Sequence, residues 1–178
     1  MMKQIVILIV GLVLSQVAFA QKINSQKSKI EFEVNNMGKV VNGTILNLKG
    51  LVNFDKNNLG ASGFNATVAP STIRTGSRGR DKHLQKNDFF GVAVFPEIKM
   101  VGKSLKKTET GYEALATLTI RDISKEVMIP FSVIEGKEQL TLTGNFSLKR
   151  KDYQLGEKVG KDSIGLEVTV QIYCVVDL

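Results

Sequence analysis

Apolar and polar residues alternate one for one through most of this chain, and no other feature restricts its fold as strongly. Ile30, Phe32 and Val34 interleave with Lys29, Glu31 and Glu33. Ile164, Leu166, Val168, Val170, Ile172, Cys174 and Val176 hold the same parity near the C-terminus. A period of two puts alternate side chains on opposite faces of a strand, so each such run buries one face only. A helix cannot use this pattern, because its period is 3.6.

Reading the runs in order gives about eight strands. After the first comes a long stretch from Val41 to Asp55, with Leu46, Leu48, Val52 and Phe54 on one face. Asn57 to Gly60 is a turn signal, and Phe64, Ala66 and Val68 follow. Alternation stops from Pro70 to Phe95 and resumes at Ile98 and Met100. Ala114, Ala116, Leu118 and Ile120 form the next inward set, then Val127, Ile129, Phe131 and Val133, then Leu140, Leu142, Phe146 and Leu148. Lys151 to Asp162 is a polar connection before a last strand over about 163–177. Short turns imply antiparallel pairing. One apolar face per strand suits a sandwich or a closed barrel. A helical pattern occurs only in the first residues and around Arg78–Phe90.

The first 20 residues read as a secretory signal. Lys3 precedes the apolar run Ile5–Val17, and Ala18-Phe19-Ala20 is a small-x-small cleavage pattern. The run is short for a membrane span, which needs about 20 apolar residues. The mature domain is then 21–178, periplasmic or secreted, with no integral span after cleavage. The 178 residues suit a leader and one domain.

The formal charge of +7 falls to +6 without Lys3. The lysines are scattered and poorly interleaved with aromatics, so a nucleic-acid partner is not expected. Cys174 stands alone, and its parity makes it a small buried hydrophobe, with neither a disulfide nor a zinc site available to it. No metal site and no cofactor motif is expected. His83 is the one histidine, without a nucleophile elbow around Ser71 or Ser77. Catalysis by His83 with nearby acids, as a hydrolase or isomerase, is the alternative to a binding function. A structural or partner-binding domain with a solid core is a third reading, and a homodimer is compatible with all of them.

The irregular region concentrates what could bind a ligand. Arg74, Arg78 and Arg80, with Lys82 and Lys86 close behind and His83 among them, form either a basic group suited to an anionic headgroup or an ordinary solvated charge run, and Asp81 and Asp88 partly neutralise it. Phe89, Phe90 and Phe95 form the densest aromatic patch, which either plugs a barrel end or touches an apolar ligand.

Several motifs together resemble the YceI-like family of bacterial lipid-binding proteins. They are Ser71-Thr72-Ile73-Arg74-Thr75, Arg80-Asp81-Lys82-His83-Leu84, Asp88-Phe89-Phe90 and Phe95-Pro96-Glu97-Ile98. Ser28 to Phe32 with Gly43, Leu118 to Lys125, and Arg150-Lys151-Asp152-Tyr153 extend the resemblance over nearly the whole mature chain. The resemblance implies an eight-stranded antiparallel lipocalin-like barrel with one short helical or irregular insertion. It implies a non-enzymatic carrier or sequestering protein for a long-chain isoprenoid or acyl lipid. The expected channel takes Phe32, Leu46, Leu48, Phe64 and Val68 from the early strands, with Ile98, Met100 and Leu118 from the middle. Phe131, Leu142, Phe146, Leu166 and Val168 complete its strands, and Phe89, Phe90 and Phe95 its loop. Arg74, Arg78, Arg80 and His83 are the expected headgroup residues at the mouth.

Cleavage after Ala20 is directly measurable. Intact mass of the exported protein should correspond to a chain beginning at Gln21. A product that retains the first 20 residues would refute the leader.

Overall fold

The computed structural model describes residues 20–178, so all but Ala20 of the leader read over residues 1–20 lies outside the described residues. Ten strands form one antiparallel sheet. They are β1 (Gln21–Lys22), β2 (Lys29–Asn36), β3 (Lys39–Leu46), β4 (Lys49–Asn53) and β5 (Gly63–Val68). After an insertion carrying helix α1 (Arg78–Leu84) come β6 (Ile98–Lys107), β7 (Tyr112–Ile120), β8 (Ile123–Glu135), β9 (Gln139–Lys149) and β10 (Ile164–Asp177). Their order across the sheet is β1-β4-β5-β6-β7-β8-β9-β10-β2-β3.

The strand count corrects the expectation of eight. The two-residue β1 adds one strand. The run read as one strand from Val41 to Asp55 is two, because Asn47 takes a left-handed backbone (φ 62) between β3 and β4. Asparagine tolerates that conformation better than most residues. The break has a large consequence. β3 pairs with β2 at one edge of the sheet, whereas β4 pairs with β5 and β1 at the other. Two consecutive strands therefore sit at opposite ends of the strand order, β3 at one edge and β4 next to the edge strand β1 at the other, and the covalent link through Asn47 and Leu48 holds the sheet curled. Single bridges reinforce the curl, Ile23 to Val176 and Thr44 to Arg74.

The concave face carries the apolar parity. β7 shows it plainly, with Ala114, Ala116, Leu118 and Ile120 buried and the residues between them only partly so. Two buried clusters lie on this face. One contains Ile23, Ile45, Val52, Ile73 and Val176. The other contains Ala116, Leu118, Ile120, Tyr153 and Leu155. Phe32 and Phe64 pack against both.

Four polar residues are buried as well among the described residues, Ser28, Thr75, Asp81 and Arg150. Arg150, 3% exposed, stands where β9 ends in a short 3-10 turn, Arg150–Tyr153. Its Nε donates to Gly165 O at 3.0 Å. Nη1 donates to Leu155 O and Gly156 O at 2.8 and 2.7 Å, and Nη2 to Val159 O and Ile164 O at 2.8 and 3.0 Å. All five guanidinium N–H groups are thus satisfied by backbone carbonyls. Burial lowers the Arg150 pKa, but a guanidinium stays charged in proteins. The turn from 154 to 165 is wound around this one cation.

Arg150→Met should leave five carbonyls without their donors and cost about 3–5 kcal/mol, the range for breaking a buried charged cluster. Arg78→Met on the exposed side of α1 should change stability by no more than about 0.5 kcal/mol. Urea denaturation of both variants measures the contrast, and equal midpoints would remove Arg150 as an organising residue. Burial also pushes the Tyr153 phenol and the Cys174 thiol up to about 12. Both groups are neutral in the fold and ionise earlier in the unfolded chain, near 10.0 and 9.0. Their contribution is therefore whole below the unfolded values and falls as pH rises from about 9 toward 12. Tyr153→Phe should flatten the upper part of that decline in alkaline denaturation.

Candidate functional site

The curled sheet does not fill its own interior. Small inward residues alternate with large ones, and a cavity of about 650 Å³ runs between the two buried clusters. That volume lies within the range of small-molecule and cofactor sites. Ala66, Ala114 and Gly144 line it where larger side chains would close it. Gly43 is set against Phe32, its cross-strand partner, and a Cβ at that position would fall 2.2 Å from the Phe32 ring. Phe32 therefore lies flat over β3 instead of standing up into the cavity.

Most residues expected in the channel are found on the cavity wall. Phe32, Leu48, Phe64 and Val68 line it from β2, the β3–β4 link and β5. Ile98, Met100 and Leu118 line it from β6 and β7, with Phe131, Leu142, Phe146 and Val168 from β8 to β10. Phe89 and Phe90 reach it from the segment after α1.

Three of the expected channel residues stand elsewhere. Leu46 is exposed, because the break at Asn47 shifts parity and Ile45 takes the inward place. Leu166 is turned outward by an irregularity in the β10–β2 pairing between Ile164 and Val168. The carbonyls of Ile164 and Gly165, which a regular strand would point oppositely, both turn to Arg150 there. Phe95 lies outside the cavity with its ring centroid 5.3 Å from the Arg121 guanidinium carbon.

The expected headgroup residues also divide. Arg74 faces solvent between the buried Ile73 and Thr75, and its Nη1 donates to Ile73 O at 2.7 Å. Its backbone pairs with Thr44, so it extends the β3 edge as a strand would. Arg78 is on the outer side of α1. Arg80, His83 and Leu84 form the inner side and line the cavity, the i, i+3, i+4 spacing of one helix face. Arg80 is already engaged, its Nε and Nη2 donating to Thr75 Oγ1 and O at 2.7 Å each. Asp81 Oδ1 accepts from the Thr75 N–H and hydroxyl at 2.9 and 2.6 Å. The Thr75–Arg80–Asp81 group thus fixes α1 against the sheet.

His83 Nε2 lies 2.7 Å from Asp88 Oδ2, and the imidazole meets the Phe89 ring edge-on at 5.1 Å. Burial works to raise the Asp88 pKa, and the His83 hydrogen bond with a backbone bond outweighs it, leaving the carboxyl below its usual range. Both side chains are about half exposed. Among the described residues no group of three or more His, Cys, Asp or Glu could hold a metal ion.

Sequence reasoning named Ile73 and Arg150 only within family motifs and gave none of Arg150, Ile45, Ile73 or Leu155 a place in the channel, although all four line the cavity. Arg150 had a visible signal, an arginine directly after an alternating run and before Tyr153. Ile73 and Leu155 sit in segments without periodicity, where sequence carries no parity to read.

The fold has solved relatives. BcnA of Burkholderia cenocepacia superposes with a TM-score of 0.79 at 19% identity, over 86% of this chain and 98% of that one. A polyisoprenoid binding domain from Saccharophagus degradans, implicated in plant cell wall breakdown, gives 0.70 at 13% identity, over 89% and 98%. In sequence, a UPF0312 protein of Yersinia enterocolitica is 26% identical over 167 residues, 89% of this chain and 87% of the relative. The YceI-like domain model matches residues 21–176, and with the motifs and curled sheet described above the chain belongs to the YceI-like family.

Proposed function

We propose that the protein is an exported, non-enzymatic lipid-binding protein that holds the tail of one long-chain isoprenoid or acyl amphiphile in its barrel. The cavity of about 650 Å³ is the observation that carries this reading, since its walls are almost wholly aliphatic and aromatic. An apolar cavity of that size is poorly suited to water and well suited to hydrocarbon. The head of the ligand would lie at the end where Arg80 and His83 meet the cavity. The polyisoprenoid-binding neighbour is a domain of the same fold, which agrees with an isoprenoid tail.

A second reading, acid–base catalysis, is favoured by the His83–Asp88 pair at 2.7 Å. Such a pair orients an imidazole, but a triad also needs a hydroxyl or thiol on the other ring nitrogen. No such hydrogen bond to His83 is present among the described residues. The solid-core reading conflicts with the cavity itself.

Each buried methylene contributes about 0.8 kcal/mol, so affinity should rise about fourfold per carbon until the cavity is full. Titration of a chain-length series against the protein measures this. Ala114→Phe, which points a ring into the cavity, should fold normally and shorten the longest tail that binds. Affinity independent of tail length, or unchanged in Ala114→Phe, would rule out a tail-in-cavity mode. His83→Asn should leave tail affinity within about threefold, because an exposed polar contact contributes little.

A further inference from the structure

One end of the cavity is bordered by three segments. Val34, Asn36 and Val41 line it from the β2–β3 hairpin, Arg80 and His83 from α1, and Ser163 from the loop before β10. The hairpin tip, Asn36-Met37-Gly38-Lys39, joins that loop through a hydrogen bond from Met37 N to Ser163 O at 3.0 Å. Met37 is 77% exposed and Val40 65% exposed, two apolar side chains directed away from any core. Leu166, turned outward by the bulge in β10, is exposed beside the same strands.

Met37 is also in an unfavourable conformation. It has φ 51 and Gly38 φ 76, a two-residue turn whose first place ordinarily takes Asn, Asp or Gly. An unbranched apolar residue there costs stability relative to asparagine and gains nothing from packing. Its presence calls for a use outside the fold.

The charges around this rim are of one predominant sign. Lys39 is on the hairpin, Arg78 and Lys82 on the outer side of α1, and Lys158 and Lys161 on the loop. None of the five is in an ion pair among the described residues, where the ion pairs present involve other cations. Glu157 and Asp162 are the acids of the same loop. His83 and Asp88 face each other at the cavity edge.

We propose that this rim docks on an anionic bilayer surface, with Met37 and Val40 entering the interface and the five cations meeting lipid headgroups. Exposed apolar side chains ringed by Lys and Arg are the combination that holds a protein at such a surface. A second copy fits less well, because a two-fold contact would set the same positive rims against each other. The inference rests on the lipid-binding reading. It adds the route, since a tail that passes from bilayer to cavity at a docked mouth avoids exposure to water.

Co-sedimentation of the purified protein with vesicles tests it, using phosphatidylcholine alone and phosphatidylcholine with phosphatidylglycerol. Binding is expected with the anionic vesicles and should weaken as salt rises. Met37→Asn combined with Val40→Thr should reduce it at least about tenfold. The asparagine suits the turn, so this variant should melt no lower than the wild type. Lys39→Gln with Lys161→Gln should reduce binding about fivefold or more. Cavity occupancy, followed in solution with a fluorescent long-chain fatty acid and no vesicles, should be the same in all of these. Equal binding to neutral vesicles, or undiminished binding by the Met37 and Val40 variant, would overturn the proposal. So would a dimer that this variant abolishes. Wild-type protein that takes the fatty acid and ignores vesicles overturns the docking alone. Protein that binds vesicles through the rim but takes no fatty acid supports docking and overturns the cavity reading alone.

Discussion

The order of the loop between β9 and β10 depends on a buried charge that has no ion-pair partner among the described residues. Arg150 is buried, and five carbonyls of residues 155, 156, 159, 164 and 165 take the place of a carboxylate. A buried cation normally carries a large desolvation cost, which a full set of charge-assisted hydrogen bonds offsets. The same bonds give the polar segment after β9 a reason to be ordered. It has little apolar periodicity of its own, and without the guanidinium its inward carbonyls would be orphaned. Gly156 then comes close against Phe89, which links this loop to the segment after α1. The bulge that turns Leu166 outward is a further product of the same centre.

The interior follows a different rule from an ordinary core. Close packing would fill the space between two strand layers, and cavities normally cost stability in proportion to their volume. Here the cavity is kept open by residue size. Ala66, Ala114 and Gly144 withhold volume, and Gly43 lets Phe32 lie along the wall. Stability is concentrated instead in the two buried clusters and in the polar centres at Arg150 and at Thr75–Asp81.

How much of this was legible in the sequence differs from element to element. Where strands alternate regularly, as in β7 and β9, parity alone placed Leu118, Leu142 and Phe146 on the inner face. It failed at Leu46 and Leu166, because a single left-handed residue or bulge inverts parity without changing the pattern of letters. The helix face was legible in principle, since Arg80, His83 and Leu84 share a side and Arg78 does not. Ser77 before Arg78 and the helical pattern from Arg78 marked the start, but which side of so short a helix meets the sheet was decided by its contacts.

The sequence by itself determined that the chain makes antiparallel strands with one buried face, because a period of two admits no other economical burial. It also carried the motifs by which its family is recognised. Long-range pairing alone set β3 and β4 at opposite ends of the strand order and left an open cavity between the walls. Only the tertiary structure decided that Arg150 binds carbonyls and that Met37 and Val40 stand at the rim. Those outcomes depend on which distant segments meet, and alternation along a strand records only which face is wet.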